Sequence, residues 1–397
     1  MFFEKNIFTT YKEEWTLGLI FIAATVFLCG QYFYAVPHFF QEEGPIYYPH
    51  MVENGLKGLT YSRLGNYQLI VNLICYLATF VPSAYASLVT TWISALIALI
   101  LAIQLGRFCR LYDISFTVAV MLGLMWAFSP YGVDIYYNST NTHWVMAISM
   151  LLVCISPLPK SRAGLSVTYI WVCLGALSGI PAVLIGPFFF IRAYQCKSKH
   201  YLIFALIFSL CASFQLYWSF LYYLKYGAEH ASNHDRSFAL LSLKDFILSL
   251  YAQTITAPLF GGEASRRIFE FVNSSDIRQL VSFFAGNGIF LGFLFYVAYT
   301  SKQTILVIIL SLVWLGVGYI QLFGALGVSE PLFHTTTPFW NRRYFATSGA
   351  AFMIICALAS VHKTRLISIL IMWPTIINMA AFCQKQYIER LGWVGLL

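Results

Sequence analysis

The chain has 397 residues, of which 59% are hydrophobic and only 10% charged, and its mean hydropathy is +0.71. That composition departs far from a soluble domain, and several apolar runs reach the length needed to cross about 30 Å of hydrocarbon. The formal charge of +8 does not call for a nucleic-acid partner, because the way basic residues divide between loops explains it.

The apolar runs are apolar on every side, as in 88–105 and 304–323, which predicts helices rather than the short alternating strands of a transmembrane barrel. The first, 16–36, follows Glu4, Glu13 and Glu14. It is too long for the apolar core of a cleavable leader and reads as a permanent anchor. A long loop, 37–83, comes next. It opens on Gln41-Glu42-Glu43-Gly44, stays polar through Asn66, and ends in an apolar stretch, 67–81, that Pro82 stops. At about fifteen residues that stretch is marginal as a crossing, and a helix lying in the membrane interface is expected.

Further spans are predicted at 84–106, 114–128, 144–156, 165–179, 181–193 and 201–221. The stretch around Ser178 and Pro181 reads either as one kinked segment or as a tight helical hairpin, and merging the pair would invert everything downstream. A second long loop, 222–280, holds an apolar patch at 238–260 and precedes spans at 281–299, 304–323, 344–361 and 366–382. The expected fold is all-α, a polytopic transmembrane helix bundle of about eleven helices in a single integral-membrane domain covering 1–397.

Lys and Arg in short loops resist translocation and so report orientation. With the N-terminus inside, Lys5, Lys12, Arg107, Arg110, Lys160, Arg162, Arg192, Lys197, Lys199, Lys302, Lys363 and Arg365 face the cytoplasm, joined only by Glu4, Glu13, Glu14 and Asp113. That side then carries the whole formal charge. Cys29, Cys154, Cys173, Cys211 and Cys356 fall inside apolar segments; they read as small buried hydrophobes, not as a disulfide framework. His230, His234 and Asp235 have a metal-compatible spacing that nothing else in the sequence supports, so no metal site is expected.

Three outward features carry unusual residues: Glu42 and Glu43, the run Asn138 to Trp144, and Arg342-Arg343-Tyr344. Each lies within a few residues of a predicted helix end, and all three fall on one side of the membrane in this topology. A carboxylate there can take a proton from an acceptor hydroxyl. Arg can balance a phosphate leaving group with paired donors, and a helix bundle can present the lipid tail that carries the phosphate. Tyr47, Tyr48, Tyr61 and Trp340 can stack on sugar, and Tyr61 and Arg63 join the expected substrate-binding set. Each piece has a plainer reading. The acids can pair with a loop Arg, Asn141, His143 and Trp144 can cap and anchor a helix, and Arg342 and Arg343 can hold lipid headgroups.

The order of these features resembles the GT-C superfamily of integral-membrane glycosyltransferases. The likeness rests on Glu42-Glu43-Gly44-Pro45-Ile46-Tyr47-Tyr48, on Asn141-Thr142-His143-Trp144 before a helix, and on Arg343-Tyr344-Phe345 near a late one. It spans most of the chain by layout and about a dozen residues by motif. The resemblance implies transfer of a sugar, usually with inversion, from a polyprenyl-phosphate carrier to an acceptor hydroxyl of a cell-envelope glycan, lipid or protein. It places the enzyme in a bacterial inner membrane with its active site on the periplasmic face. It assigns the base to Glu43, with Glu42 second; the chemistry of the other outward residues then gives the carrier phosphate to Arg342 and Arg343, beside Tyr344, and the positioning of sugar or acceptor to Asn141 and His143. Such loops often carry Asp at the second acidic position, where this chain has Glu43, so the longer side chain leaves Glu42 open as base. The cofactor is left open, including whether a divalent cation assists.

Two other classes share parts of the pattern. A transporter or flippase of lipid-linked sugar predicts charges well inside the spans and matched interrupted repeats, whereas these spans are nearly free of charge. An O-antigen polymerase-like or ligase-like enzyme depends on Arg-rich outward loops, and the acid pair weighs against it.

Overall fold

The computed structural model describes residues 7–34, 39, 42–63, 65–127, 135–231, 303–317 and 346–361, with 250–251, 254–255, 319 and single positions between 267 and 299. Arg342, Arg343, Tyr344, Trp340, the span 366–382 and most of the loop 222–280 lie outside the described residues. By contact the chain forms two compact units, one of 1–108 with 133–237, the other of 109–132 with 238–397. Among the described residues the protein is all-α apart from one two-stranded hairpin.

In the first unit, α1 spans Ile7–Tyr34. Leu17, Phe21 and Thr25 are buried at successive i, i+4 positions, the spacing that lays side chains along one helix face. The first loop then folds into short pieces: a π turn Glu43–Tyr47, α2 over Tyr48–Asn54, a 3-10 turn Gly55–Thr60, and the hairpin of β1 (Ser62–Arg63) with β2 (Asn66–Tyr67). Gly65 turns the hairpin at φ 75°. A Cβ there would stand 2.8 Å from the Ser219 Cα, so both the left-handed backbone and the close approach require glycine.

The segment expected in the membrane interface forms α3, Leu69–Ala78. Ten residues reach only about 15 Å, half the hydrocarbon thickness. Its buried apolar residues Ile70, Val71, Ile74, Cys75 and Ala78 form one stripe, with Leu77 and Tyr76 off it. Each fully buried Val or Ile contributes about 1.5–3 kcal/mol, so this stripe, not intrinsic propensity, holds so short a helix.

Next come α4, Ser83–Leu111, and α6, Thr142–Ile155, after a 3-10 turn Ser139–Asn141. All but one of the α6 residues are buried, as expected of a helix apolar all round at the centre of a core. Helix α7, Arg162–Ala176, starts on Ser161, whose hydroxyl accepts from the Gly164 N–H at 3.2 Å. The ambiguous stretch around Ser178 is broken. Helix α7 ends, Gly179 sits at φ 115°, and the chain resumes as α8, Ile180–Val183, and α9, Gly186–Cys196. Lys197, left-handed at φ 46°, turns it into α10, Lys199–Ala231. The buried Arg192 donates to the Cys154 carbonyl at 3.0 Å and the Ile155 carbonyl at 3.3 Å. It thereby satisfies backbone acceptors that the end of α6 leaves open.

The second unit contains α5, Phe116–Ala127, α11, Thr304–Leu312, which runs on into a π turn at Val313–Val317, and α12, Ala346–Ala359. Every residue of α12 is buried. The Trp314 indole donates to Thr254 at 2.9 Å and its ring lies 5.9 Å from that of Phe352. Among the described residues, two helices are long and apolar enough to cross a membrane: Ser83–Leu111, and the Lys199–Tyr222 part of α10.

Candidate functional site

Two of the three sequence features meet in the first unit. The Glu43 carboxylate is 1% exposed. One of its oxygens accepts a short hydrogen bond from the Ser139 backbone N–H, and the other lies 3.1 Å from the Thr90 hydroxyl. That hydroxyl is also 2.9 Å from the Ser87 carbonyl, so its single proton serves one acceptor at a time. The Ser139 N–H opens a helical turn and points outward, as unpaired first-turn donors do, and a carboxylate there is favoured by charge as well as by hydrogen bonding. Glu43 thus ties the acid-pair loop to α4 and to the start of the Asn138 element.

Glu42 differs from its neighbour. Its side chain is 42% exposed and pairs with the Arg63 guanidinium from β1. Its backbone carbonyl receives the Ile46 N–H at 3.1 Å and the Tyr47 N–H at 3.2 Å, closing the π turn. The plain expectation of an acid paired with a loop Arg therefore describes Glu42, and a buried backbone anchor describes Glu43.

The Asn138 element is organised by Asn138 itself. Its side-chain oxygen accepts from the Asn141 N–H at 2.7 Å and from the Thr140 hydroxyl at 3.0 Å. Asn141, although it immediately precedes α6, makes no side-chain cap. His143 is 8% and Trp144 3% exposed, with ring centroids 5.0 Å apart. Thr142 joins the element to α4, its hydroxyl 3.4 Å from that of Ser94 and 3.0 Å from the Asn138 carbonyl.

Around the anchor the loop is packed with aromatics. Tyr61 has the Tyr47 ring at 5.6 Å, edge-on, and the His50 ring at 4.2 Å. Burial pushes the Tyr47 phenol far above its ordinary range, with Tyr61 and Cys75 adding to the shift. The Cys75 sulfur lies 3.5 Å from the Ser139 hydroxyl. Burial raises its thiol to about 12, against a lowering by the Ser139 hydrogen bond, and the Glu43 charge pushes it the same way as burial. Both groups therefore stay protonated at neutral pH and pack as neutral side chains.

Of the expected site residues, Glu42, Glu43, Tyr61, Arg63, Asn141, His143 and Trp144 all belong to this unit, and Arg342, Arg343 and Tyr344 lie outside the described residues. Sequence reasoning missed Thr90 and Ser94, and it placed Asn138 and Ser139 in the second feature without giving either a role. A signal for the first two exists: Ser87, Thr90, Thr91 and Ser94 stand at i, i+3, i+4 and i+7 on an otherwise apolar helix, and all are buried. Compared with protein-family models, with curated proteins and with solved structures, the chain matches none of them.

Proposed function

We propose that the protein is a polytopic helix-bundle glycosyltransferase of a bacterial inner membrane. It moves a sugar from a polyprenyl-phosphate carrier to an acceptor hydroxyl on the periplasmic face. The observation that supports this reading is the meeting of the acid-pair loop and the Asn138 element around Glu43. Those are the two described motifs on which the GT-C likeness rests.

The two acids then divide the work. Motif position puts Glu43 first as base, whereas access puts Glu42 first. A base must reach the proton it takes, and the Glu43 oxygens are buried on protein donors while the Glu42 side chain is 42% exposed. In the proposed step Glu42 accepts the acceptor hydroxyl proton, the freed oxygen bonds to the anomeric carbon, and the carbon–oxygen bond to the carrier phosphate breaks with inversion. Arg63 orients Glu42 and Glu43 holds the loop against the Asn138 element; the assignment of the departing phosphate to Arg342 and Arg343 rests on the sequence alone.

Sugar transfer from polyprenyl-phosphate sugars in membranes tests this. Glu42→Gln is expected to lower turnover about a hundredfold or more with the thermal midpoint retained. Glu43→Gln is expected to lose activity and thermal midpoint together. Full activity in both variants overturns the mechanism.

A further inference from the structure

Gly179, in the break between α7 and α8, is where three elements converge. Its φ of 115° and ψ of 172° are open only to glycine. From the point a Cβ would occupy, the Asn66 Oδ1 is 3.5 Å away, the Gln68 Cγ 3.5 Å and the His143 Cβ 3.6 Å. The end of the first-loop hairpin, the first turn of α6 and the α7–α8 turn therefore face one another across a residue without a side chain.

The backbone fixes this arrangement. The Leu69 N–H donates to the Leu177 carbonyl at 2.9 Å, fastening the loop to the turn. Gln215 of α10 pairs with both backbone groups of Tyr67, accepting at 3.0 Å and donating at 2.6 Å. Within this frame Gln68 is 7% exposed, and neither its Oε1 nor the Asn66 Oδ1 has a hydrogen-bond partner among the described residues. Buried carbonyl acceptors are ordinarily paired, and each exception calls for a donor from elsewhere.

We propose that Asn66 and Gln68, in the corner formed with Gly179 and His143, form a subsite for the hydroxyl groups of a sugar. The inference rests on the glycosyltransferase reading and deepens it. Two amide oxygens ask for donors, which sugar hydroxyls supply. A phosphate offers only acceptors and negative charge, so the carrier's headgroup belongs elsewhere. His143 follows Ser139 by four residues, about 6–8 Å along the 3-10 turn and the first turn of α6, which sets the subsite close to the acid-pair anchor.

Binding to the full chain in lipid nanodiscs tests the subsite. The probes are bare undecaprenyl phosphate and the same lipid bearing a hexose, an N-acetylhexosamine or an aminopentose. The wild-type protein is expected to bind at least one sugar-bearing lipid more tightly than the bare carrier. Gln68→Met, which keeps the bulk and removes the acceptor, is expected to weaken that lipid about tenfold and leave the bare carrier unchanged. Asn66→Ala is expected to act with the same selectivity, and it decides the matter if Gln68→Met does not fold. A sugar preference that survives both substitutions, or equal weakening of both lipids, overturns the subsite and leaves the glycosyltransferase reading standing. A wild-type protein that binds every probe like the bare carrier overturns both.

Discussion

Glu42 and Glu43 are adjacent, yet their surroundings give them different chemistry. A π turn sends one side chain to Arg63 at the loop surface and the other inward to Ser139 and Thr90. The donors on Glu43 are worth more than their number suggests, because a buried carboxylate that loses one retains the desolvation cost. Thr90→Val is therefore expected to destabilise the protein by about 1–2 kcal/mol, whereas Thr90→Ser, which keeps the hydroxyl, is expected to stay near wild type. Unfolding in detergent, followed by helical circular dichroism, checks both. Equal stability of the Val and wild-type proteins would show that Thr90 is not a partner that matters to Glu43. This asymmetry was not legible in Glu42-Glu43-Gly44, since each residue type fits either role, and which one is buried depends on helices 47 and 96 residues further along the chain.

At the scale of elements, the first loop is held by long-range polar contacts and has little regular structure of its own. Asn72 of α3 donates to the Leu59 carbonyl at 3.1 Å and the Tyr61 carbonyl at 2.8 Å. Gln215 completes the pairing of β2 from a helix 148 residues away, and Ser219 donates to the Gly65 carbonyl at 3.0 Å. A two-residue strand cannot stand on its own ladder, so α10 substitutes for the missing neighbour. Gln215→Leu leaves a buried N–H and C=O of Tyr67 unpaired and is expected to cost about 2 kcal/mol or more. It is also expected to speed proteolytic cleavage between Gly55 and Gly65 in the folded protein. Unchanged cleavage would show that the hairpin is held by packing alone. The short helix within 67–81 and the broken stretch near Ser178 were both within reach of sequence reasoning, one by its apolar length and the stop at Pro82, the other because Gly-Ile-Pro interrupts a helical pattern. The docking of Gln215 was not, because an isolated Gln on an apolar helix has many uses.

For the whole molecule, the proposed topology makes a prediction independent of any activity. Basic residues at the end of α4 (Arg107, Arg110), at the start of α7 (Lys160, Arg162) and around the α9–α10 turn (Lys197, Lys199) are expected to keep those ends in the cytoplasm. Alkaline phosphatase fused after Lys57 is expected to be active in a bacterial host, and the same fusion after Lys160 inactive. The reverse pattern would put the acid-pair loop in the cytoplasm and end the periplasmic reading. Arg192 shows that such residues also serve the fold, since its guanidinium satisfies carbonyls at the end of α6 and lies over the Tyr201 ring at 5.5 Å.

Composition and periodicity alone were enough to establish the helical class and, among the described residues, the approximate positions of the helices. Those properties follow from local backbone hydrogen bonding and from which stretches can leave water, and both are written along the chain. The tertiary structure decided which acid is buried, that Asn138 rather than Asn141 caps the second motif, and that Asn66, Gln68 and His143 share a corner at Gly179. Those outcomes depend on contacts between segments dozens of residues apart, whose geometry is set by packing and by the pairing of buried polar groups.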